Sequence, residues 1–272
     1  VAQTTLDRSE VVRRLRNAGC VFAEDEARLL LAEASEAPGA DERRSLLEAM
    51  LLERTEGVPL EHVLGWTRFA GRRVTVNRGV FVPRRRTELL AAEAAALCPP
   101  TGTLVELCCG SAAVAATVAR RLPLTRVYAA DIEPAAVRCA RTNLGARGIV
   151  LEGDLFDALP EELLGGIDVI VANAPYVPTG RIDTMPAEAR EHEPAVALDG
   201  GPDGLAVQRR IVAGAAPWLR DGGRLLIETS AGQAPGTRAL FAAHGLRSRQ
   251  VHSRRLDATI VVGRAGSPHR HG

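Results

Sequence analysis

The chain has 272 residues, 46% of them hydrophobic, and 34 Lys+Arg against 33 Asp+Glu leave a net charge of +1. That is enough apolar sequence for one large domain or for a mid-sized domain with a smaller companion, and the charge balance lacks the basic excess of a non-specific nucleic-acid binder. Every basic residue is arginine, which excludes a lysine nucleophile or Schiff base. The cysteines, Cys20, Cys98, Cys108, Cys109 and Cys139, are odd in number and form no CxxC pair, so a reduced, cytoplasmic protein without a disulfide framework is expected. Cys108-Cys109 has no Cys or His cluster near it and reads as two small buried side chains rather than as a metal or redox pair. No apolar run approaches the ~18 residues needed to cross a bilayer. The start, Val1-Ala2-Gln3-Thr4, has neither the basic nor the apolar region of a signal peptide.

In chain order, residues 6–56 have helical spacing: Val11, Val12 and Leu15, then Ala27, Leu30, Leu31 and Ala34, then Leu46, Leu47, Met50 and Leu51. Breaks at Asn17-Ala18-Gly19 and Ala37-Pro38-Gly39 divide them into a small bundle, expected as a domain over 1–68 with Trp66 as packing at its junction. From Phe69 to Val82 the pattern alternates, with Val74, Val76, Val80 and Val82 around Asn77-Arg78-Gly79, which predicts a β-hairpin linker over 69–84. Over 85–265 apolar strand segments at Leu104–Leu107, Val127–Ala130, Ile149–Leu151, Ile167–Ala172 and Leu225–Ile227 alternate with helical stretches, the pattern of a doubly wound α/β domain. Gly245–Val251 and Ala258–Val262 predict a closing antiparallel hairpin. The tail 266–272 reads as disordered, its His269 and His271 as a frayed end rather than a metal site.

The first strand ends in Glu106-Leu107-Cys108-Cys109-Gly110-Ser111-Ala112 and runs into an Ala-rich helix, a turn of small residues that lets a ligand approach backbone N–H groups. Asp131, followed by Ile132, ends the second strand 21 residues after Gly110 and is placed for ribose hydroxyls. Asp154 ends the third strand and is placed for an adenine amino group, with Leu155 or Phe156 beside the ring. The alternatives are a turn acid at Asp131 and a helix cap at Asp154. Glu106 would face the crevice, toward a methionine amino group or a backbone N–H. Strand-end carboxylates with a partial glycine motif suit an adenosine ligand without a pyrophosphate, and S-adenosylmethionine is the simplest. The fourth strand ends in Asn173-Ala174-Pro175-Tyr176. The Asn173 carbonyl and the Ala174 backbone carbonyl can accept hydrogen bonds from a planar nitrogen and aim its lone pair at a methyl donor; an ordinary strand-to-loop turn uses the same residues.

Together these patterns resemble the PrmC/HemK family of protein-(glutamine-N5) methyltransferases along nearly the whole chain. The matching segments are Gly57-Val58-Pro59-Leu60-Glu61-His62-Val63-Leu64-Gly65, Phe81-Val82-Pro83-Arg84 with Thr87-Glu88, the turn from Glu106 to Ala115, Asn173-Ala174-Pro175-Tyr176-Val177-Pro178, and Glu193-Pro194 with Ala197-Leu198-Asp199-Gly200-Gly201 and Asp203-Gly204. The resemblance implies a Rossmann-like class I methyltransferase, with a seven-stranded, mostly parallel sheet behind a helical bundle that recognises a protein substrate. That substrate is a class-1 release factor presenting a Gly-Gly-Gln glutamine, and the donor is S-adenosylmethionine, converted to S-adenosylhomocysteine. It further implies that Asn173, Pro175 and Tyr176 serve catalysis and, with Ala174, hold the substrate. Arg84, Glu88, Glu106, Cys108, Gly110, Ala112, Asp131, Ile132, Asp154, Leu155 and Asn173 would border the cofactor, although Arg84 and Glu88 equally suit an ion pair. A monomer is expected, with no metal, membrane or nucleic-acid partner.

Three departures from the family stand out. Ala174 replaces the first proline of Asn-Pro-Pro-Tyr, Cys108 and Ala112 occupy glycine positions of the turn, and Arg85-Arg86 replaces a Pro-acidic pair and makes the entrance more basic. They leave open methylation of an exocyclic amino group in a nucleic acid or small molecule, and a cofactor-binding protein without turnover.

Overall fold

The computed structural model of the protein describes residues 7–266. His269, His271 and the rest of 267–272 lie outside the described residues. Helix α1 (Arg8–Asn17) starts at Asp7, whose carboxylate accepts the Glu10 N–H at 2.8 Å and satisfies one of the donors a helix start leaves open. Val11 and Leu15 of α1 pack against Ala27 and Leu30 of α2 (Ala23–Ser35) and Leu47 and Leu51 of α3 (Ala40–Thr55). Each such buried aliphatic side chain contributes roughly 1.5–3 kcal/mol. The short α4 (Leu60–Leu64) ends at Gly65 in the left-handed conformation and passes the chain to a hairpin, β1 (Trp66–Phe69) and β2 (Arg72–Thr75). Trp66 packs on the bundle as expected, with its indole N–H donating to Glu33 at 2.9 Å and Arg73 stacked 4.0 Å over its ring.

The hairpin corrects the sequence reading. It turns at Ala70-Gly71, both with positive φ (48° and 78°), not at Asn77-Arg78-Gly79. A two-residue connection needs left-handed backbone at both central positions. The Glu88 carboxylate holds Ala70 there by accepting its N–H at 3.0 Å. Asn77-Arg78-Gly79 forms a separate turn closed by Val80 N–H to Asn77 C=O. The chain beyond it is tied to α4 by a 2.9 Å contact between His62 Nε2 and the Val80 carbonyl.

The sheet that follows has the order β5-β4-β3-β6-β7-β9-β8, from β3 (Thr103–Leu107), β4 (Arg126–Asp131), β5 (Ile149–Glu152), β6 (Ile167–Ala172), β7 (Leu219–Thr229), β8 (Arg247–Ser253) and β9 (Ala258–Arg264). Five neighbouring strands are parallel, and β9 pairs antiparallel with β7 and β8. One face carries α5 (Glu88–Leu97), α6 (Ala113–Arg121) and α7 (Pro134–Leu144), and the other α9 (Ala206–Gly214) and α10 (Ala234–Ala243). Val169 and Val171 enter the first core while Ile170 and Ala172 enter the second, so β6 is buried on both sides and reads as a continuous apolar run. Strand order reverses between β3 and β6. The crevice beyond their carboxyl ends is where a doubly wound sheet places its ligand.

Candidate active site

A cleft opens at this reversal and is bordered by the ends of β3, β4, β5 and β6, by Phe81 and Thr87 from the segment ahead of α5, and by Pro194 and Val196 beyond the short α8 (Ala187–His192). At the β3 end the chain passes through three left-handed residues, Cys108, Gly110 and Ala112, with φ of 51°, 53° and 55°. The Asp131 carboxylate braces this turn, one oxygen accepting the Gly110 N–H at 2.8 Å and the other the Glu133 N–H at 3.0 Å. Asn143 on α7 supports it from below: its amide donates to the carbonyls of Ser111 and Thr75, both at 2.9 Å, and its oxygen accepts the Thr75 N–H. The turn after β3 and the hairpin are therefore joined through one side chain.

Glu106 accepts the Ala115 N–H at 2.6 Å and is buried, and burial, only partly offset by that bond, pushes its carboxyl up to about 8. The Ser111 hydroxyl, buried at the edge of the cleft, has no partner in the protein. A buried hydroxyl without a partner calls for a ligand acceptor. With the Asp131 carboxylate, this donor set fits an adenosine-bearing ligand that also carries an amino acid.

At the other end, Asn173 follows β6, and its amide nitrogen donates to the Thr87 hydroxyl at 3.3 Å. The amide is thereby oriented with Oδ1 available as an acceptor. The backbone after Asn173 is gripped by the Asp199–Gly204 loop. Val177 N–H donates to Leu198 C=O, Gly200 N–H to Val177 C=O, and the Gln233 amide to Tyr176 C=O at 2.9 Å. The glycines of that loop answer to contact: a Cβ on Gly204 would lie 2.3 Å from the Tyr176 carbonyl oxygen, and one on Gly200 2.8 Å from that of Pro175. Glu193 locks the loop to the linker by accepting from Arg84 at 2.6 and 2.7 Å and from the Val82 N–H.

Of the residues expected at the site, Glu106, Cys108, Gly110, Asp131, Ile132, Asp154, Leu155, Asn173 and Pro175 border the cleft. Asp154 is paired with Arg210 at 2.7 Å, a partner the sequence reading missed, and Phe156 stacks on Trp218 rather than lining the cleft beside Leu155. Arg84 and Glu88 do not border it, because their charges are taken by Glu193 and by the Ala70 N–H. Ala112 is fully buried as the N-cap of α6, so its Cβ sits in the core instead of lining the cleft. Ala174 is buried, and Tyr176 lies just outside the cleft, its ring 5.9 Å from the Arg86 guanidinium. Nor does Arg86 simply make the entrance basic, since its Nε lies 3.4 Å from the buried Glu228 carboxylate. Among the described residues no His, Cys, Asp and Glu cluster suited to a metal is present, and no helix is long and apolar enough to cross a membrane.

Strand order, the braced turn after β3 and the Asn173 loop define a Rossmann-like class I methyltransferase. The methyltransferase small domain family matches residues 73–192. A release factor glutamine methyltransferase of Mycolicibacterium smegmatis is 41% identical over 191 residues, covering 69% of this chain and 67% of that protein. One from Cereibacter sphaeroides is 36% identical over 251 residues, covering 86% and 88%. The chain thus belongs to the release factor glutamine methyltransferase family. A 4-amino-L-phenylalanine/4-methylamino-L-phenylalanine methyltransferase of Streptomyces pristinaespiralis is 38% identical over 195 residues, covering 69% of this chain and 66% of that one.

Proposed function

We propose that this chain methylates the side-chain amide nitrogen of a glutamine in a class-1 release factor, using S-adenosylmethionine. The observation that carries the reading is the held amide of Asn173: with its nitrogen engaged by Thr87, its oxygen is left to accept the N–H of a planar acceptor nitrogen at the mouth of the nucleotide cleft. A delocalised amide nitrogen reacts only when its lone pair is aimed, and alignment of this kind supplies roughly 7–11 kcal/mol in intramolecular analogies. The cofactor supplies an electrophilic methyl group on a positively charged sulfur. Asp131 would hold its ribose hydroxyls, Glu106 and the Ser111 hydroxyl its amino-acid end, and Ile132 and Leu155 its adenine ring. Tyr176 and Pro175 shape the acceptor's entry, and the substrate-recognition domain 1–68 would dock the release factor. Coverage of the Cereibacter relative extends into that bundle, which supports a protein acceptor.

The Streptomyces relative favours a second reading, an aromatic amine of an amino acid as acceptor, since it poses the same lone-pair problem. The test is Asn173→Ala: turnover on a release factor should fall by roughly 100-fold or more with cofactor affinity unchanged. Equal loss of both would remove Asn173 from its assigned role.

A further inference from the structure

The near-even charge of the whole chain hides an uneven distribution. On the antiparallel side of the sheet, Arg224 of β7 stands directly opposite Arg264 of β9, and Arg264 directly opposite Arg247 at the start of β8. Two positions along the ladder, Leu226 and Val262 face each other in the core beneath α5, so side-chain alternation puts all three arginines on that same face. At about 4.8 Å between strands the row is about 10 Å long. It lies level with Val169 near the start of β6, away from the cleft at the carboxyl ends of the strands. Two of the guanidinium groups converge: Arg224 donates to the Gly222 carbonyl, and a Cβ on Gly222 would lie 3.4 Å from Arg264 Nη2. Among the described residues no carboxylate pairs with the row, Asp221 beside it included. The nearby acids are taken, Asp168 by Arg220 at 2.5 Å and Glu93 by Arg249 at 2.9 Å. Burial and the charges of Arg264, Arg249 and Arg220 accordingly lower the Arg224 pKa.

Like charges directly opposite one another destabilise a sheet, and this row repeats the arrangement twice. Protection of a sheet edge explains a charge on β8, the outermost strand. It does not explain Arg264 and Arg224 on the two strands inside it. We propose that Arg224, Arg264 and Arg247 form a docking row for the phosphate backbone of a single-stranded nucleic acid, separate from the methyl-transfer cleft. A guanidinium fork matches two phosphate oxygens at once. Three forks in line suit successive phosphates of one strand, where a single phosphate ion would engage only part of the row. The row is independent of which acceptor the cleft methylates.

The test is fluorescence anisotropy of a labelled single-stranded RNA of about 16 nucleotides with the full-length protein, at salt concentrations from about 50 to 200 mM. Three phosphate contacts on a single strand predict a slope of log K against log salt of roughly −2. Arg247→Gln combined with Arg264→Gln should bring the slope to roughly −0.7 and weaken binding at the low-salt end at least about tenfold. Removing like charges relieves the sheet, so this variant should melt no lower than wild type. Arg254→Gln combined with Arg255→Gln, two exposed residues in the turn between β8 and β9, changes the net charge equally and should leave the affinity within about twofold. Absence of RNA binding, equal weakening by both pairs of substitutions, or displacement of the RNA by inorganic phosphate at matched ionic strength would overturn the proposal. So would row-dependent binding to vesicles of anionic phospholipid in place of RNA, or a lower melting temperature in the row variant, which would assign the arginines to holding the sheet.

Discussion

Replacing Glu106 by glutamine should reverse its effect on stability between acid and alkaline pH. In the unfolded chain this carboxyl ionises near 4.5, and in the fold burial holds its proton until about 8. Between those values the native state binds the extra proton, so the group's stabilising contribution is full below pH 4.5 and is lost as pH rises through 8. At 1.36 kcal/mol for each tenfold change in proton affinity, the wild type forfeits roughly 5 kcal/mol over that range. Glutamine is isosteric and keeps an oxygen for the Ala115 N–H, but it replaces the acid's single proton by two N–H donors, and a buried donor left unpaired costs about 1–3 kcal/mol. The variant should therefore be less stable than wild type by up to about 2 kcal/mol at pH 5 and more stable by roughly 2–4 kcal/mol at pH 9. Urea unfolding followed by circular dichroism from pH 5 to 9 measures both. Parallel stability curves for the two proteins would refute the claim that Glu106 is held protonated by burial.

Gly204→Ala forces a Cβ to within 2.3 Å of the Tyr176 carbonyl at φ +75°, so release-factor methylation should drop roughly 100-fold while cofactor binding by calorimetry stays intact. Asn143→Ala removes the three hydrogen bonds that join the hairpin to the turn after β3. At about 1 kcal/mol each it should lower the unfolding free energy by roughly 2–3 kcal/mol and weaken cofactor binding as well, both read by denaturation with and without the cofactor. Cys108→Gly relieves a left-handed backbone that costs an L-residue roughly 1–2 kcal/mol, and its melting temperature should rise by about 2–4 °C; a fall would show that the Cys108 side chain outweighs the strain.

The central strands of the α/β domain were legible because β3 and β6 are apolar runs buried on both faces, and Gly245–Val251 with Ala258–Val262 marked the closing hairpin correctly. The first hairpin was misplaced because Asn77-Arg78-Gly79 is the stronger local turn signal, whereas the left-handed Ala70 depends on the Glu88 carboxylate 18 residues away. That same bond draws Glu88 away from the cleft. Arg84 takes the ion-pair alternative the sequence also offered, but with Glu193, 109 residues distant, a partner that no local pattern names. The place of Asn173 at the cleft was readable from its strand-end motif. The contacts of Thr87 and Asn143 were not, because they form only when the sheet brings the start of α5 and α7 against the two halves of the cleft. Glu193 and the Asp199–Gly204 glycines were noted as a pattern, but the Glu193 bond to Arg84 and the close approach of Gly200 and Gly204 to the Pro175-Tyr176 backbone are contacts no spacing encodes.

The central claim is tested most directly by incubating the purified chain with methyl-labelled S-adenosylmethionine and a class-1 release factor, then mapping the labelled peptide beside an Asn173→Ala control. The account predicts label on the glutamine of the Gly-Gly-Gln loop, lost in the control. Labelling of an aromatic amino acid amine instead, or of no acceptor despite cofactor binding, would contradict it.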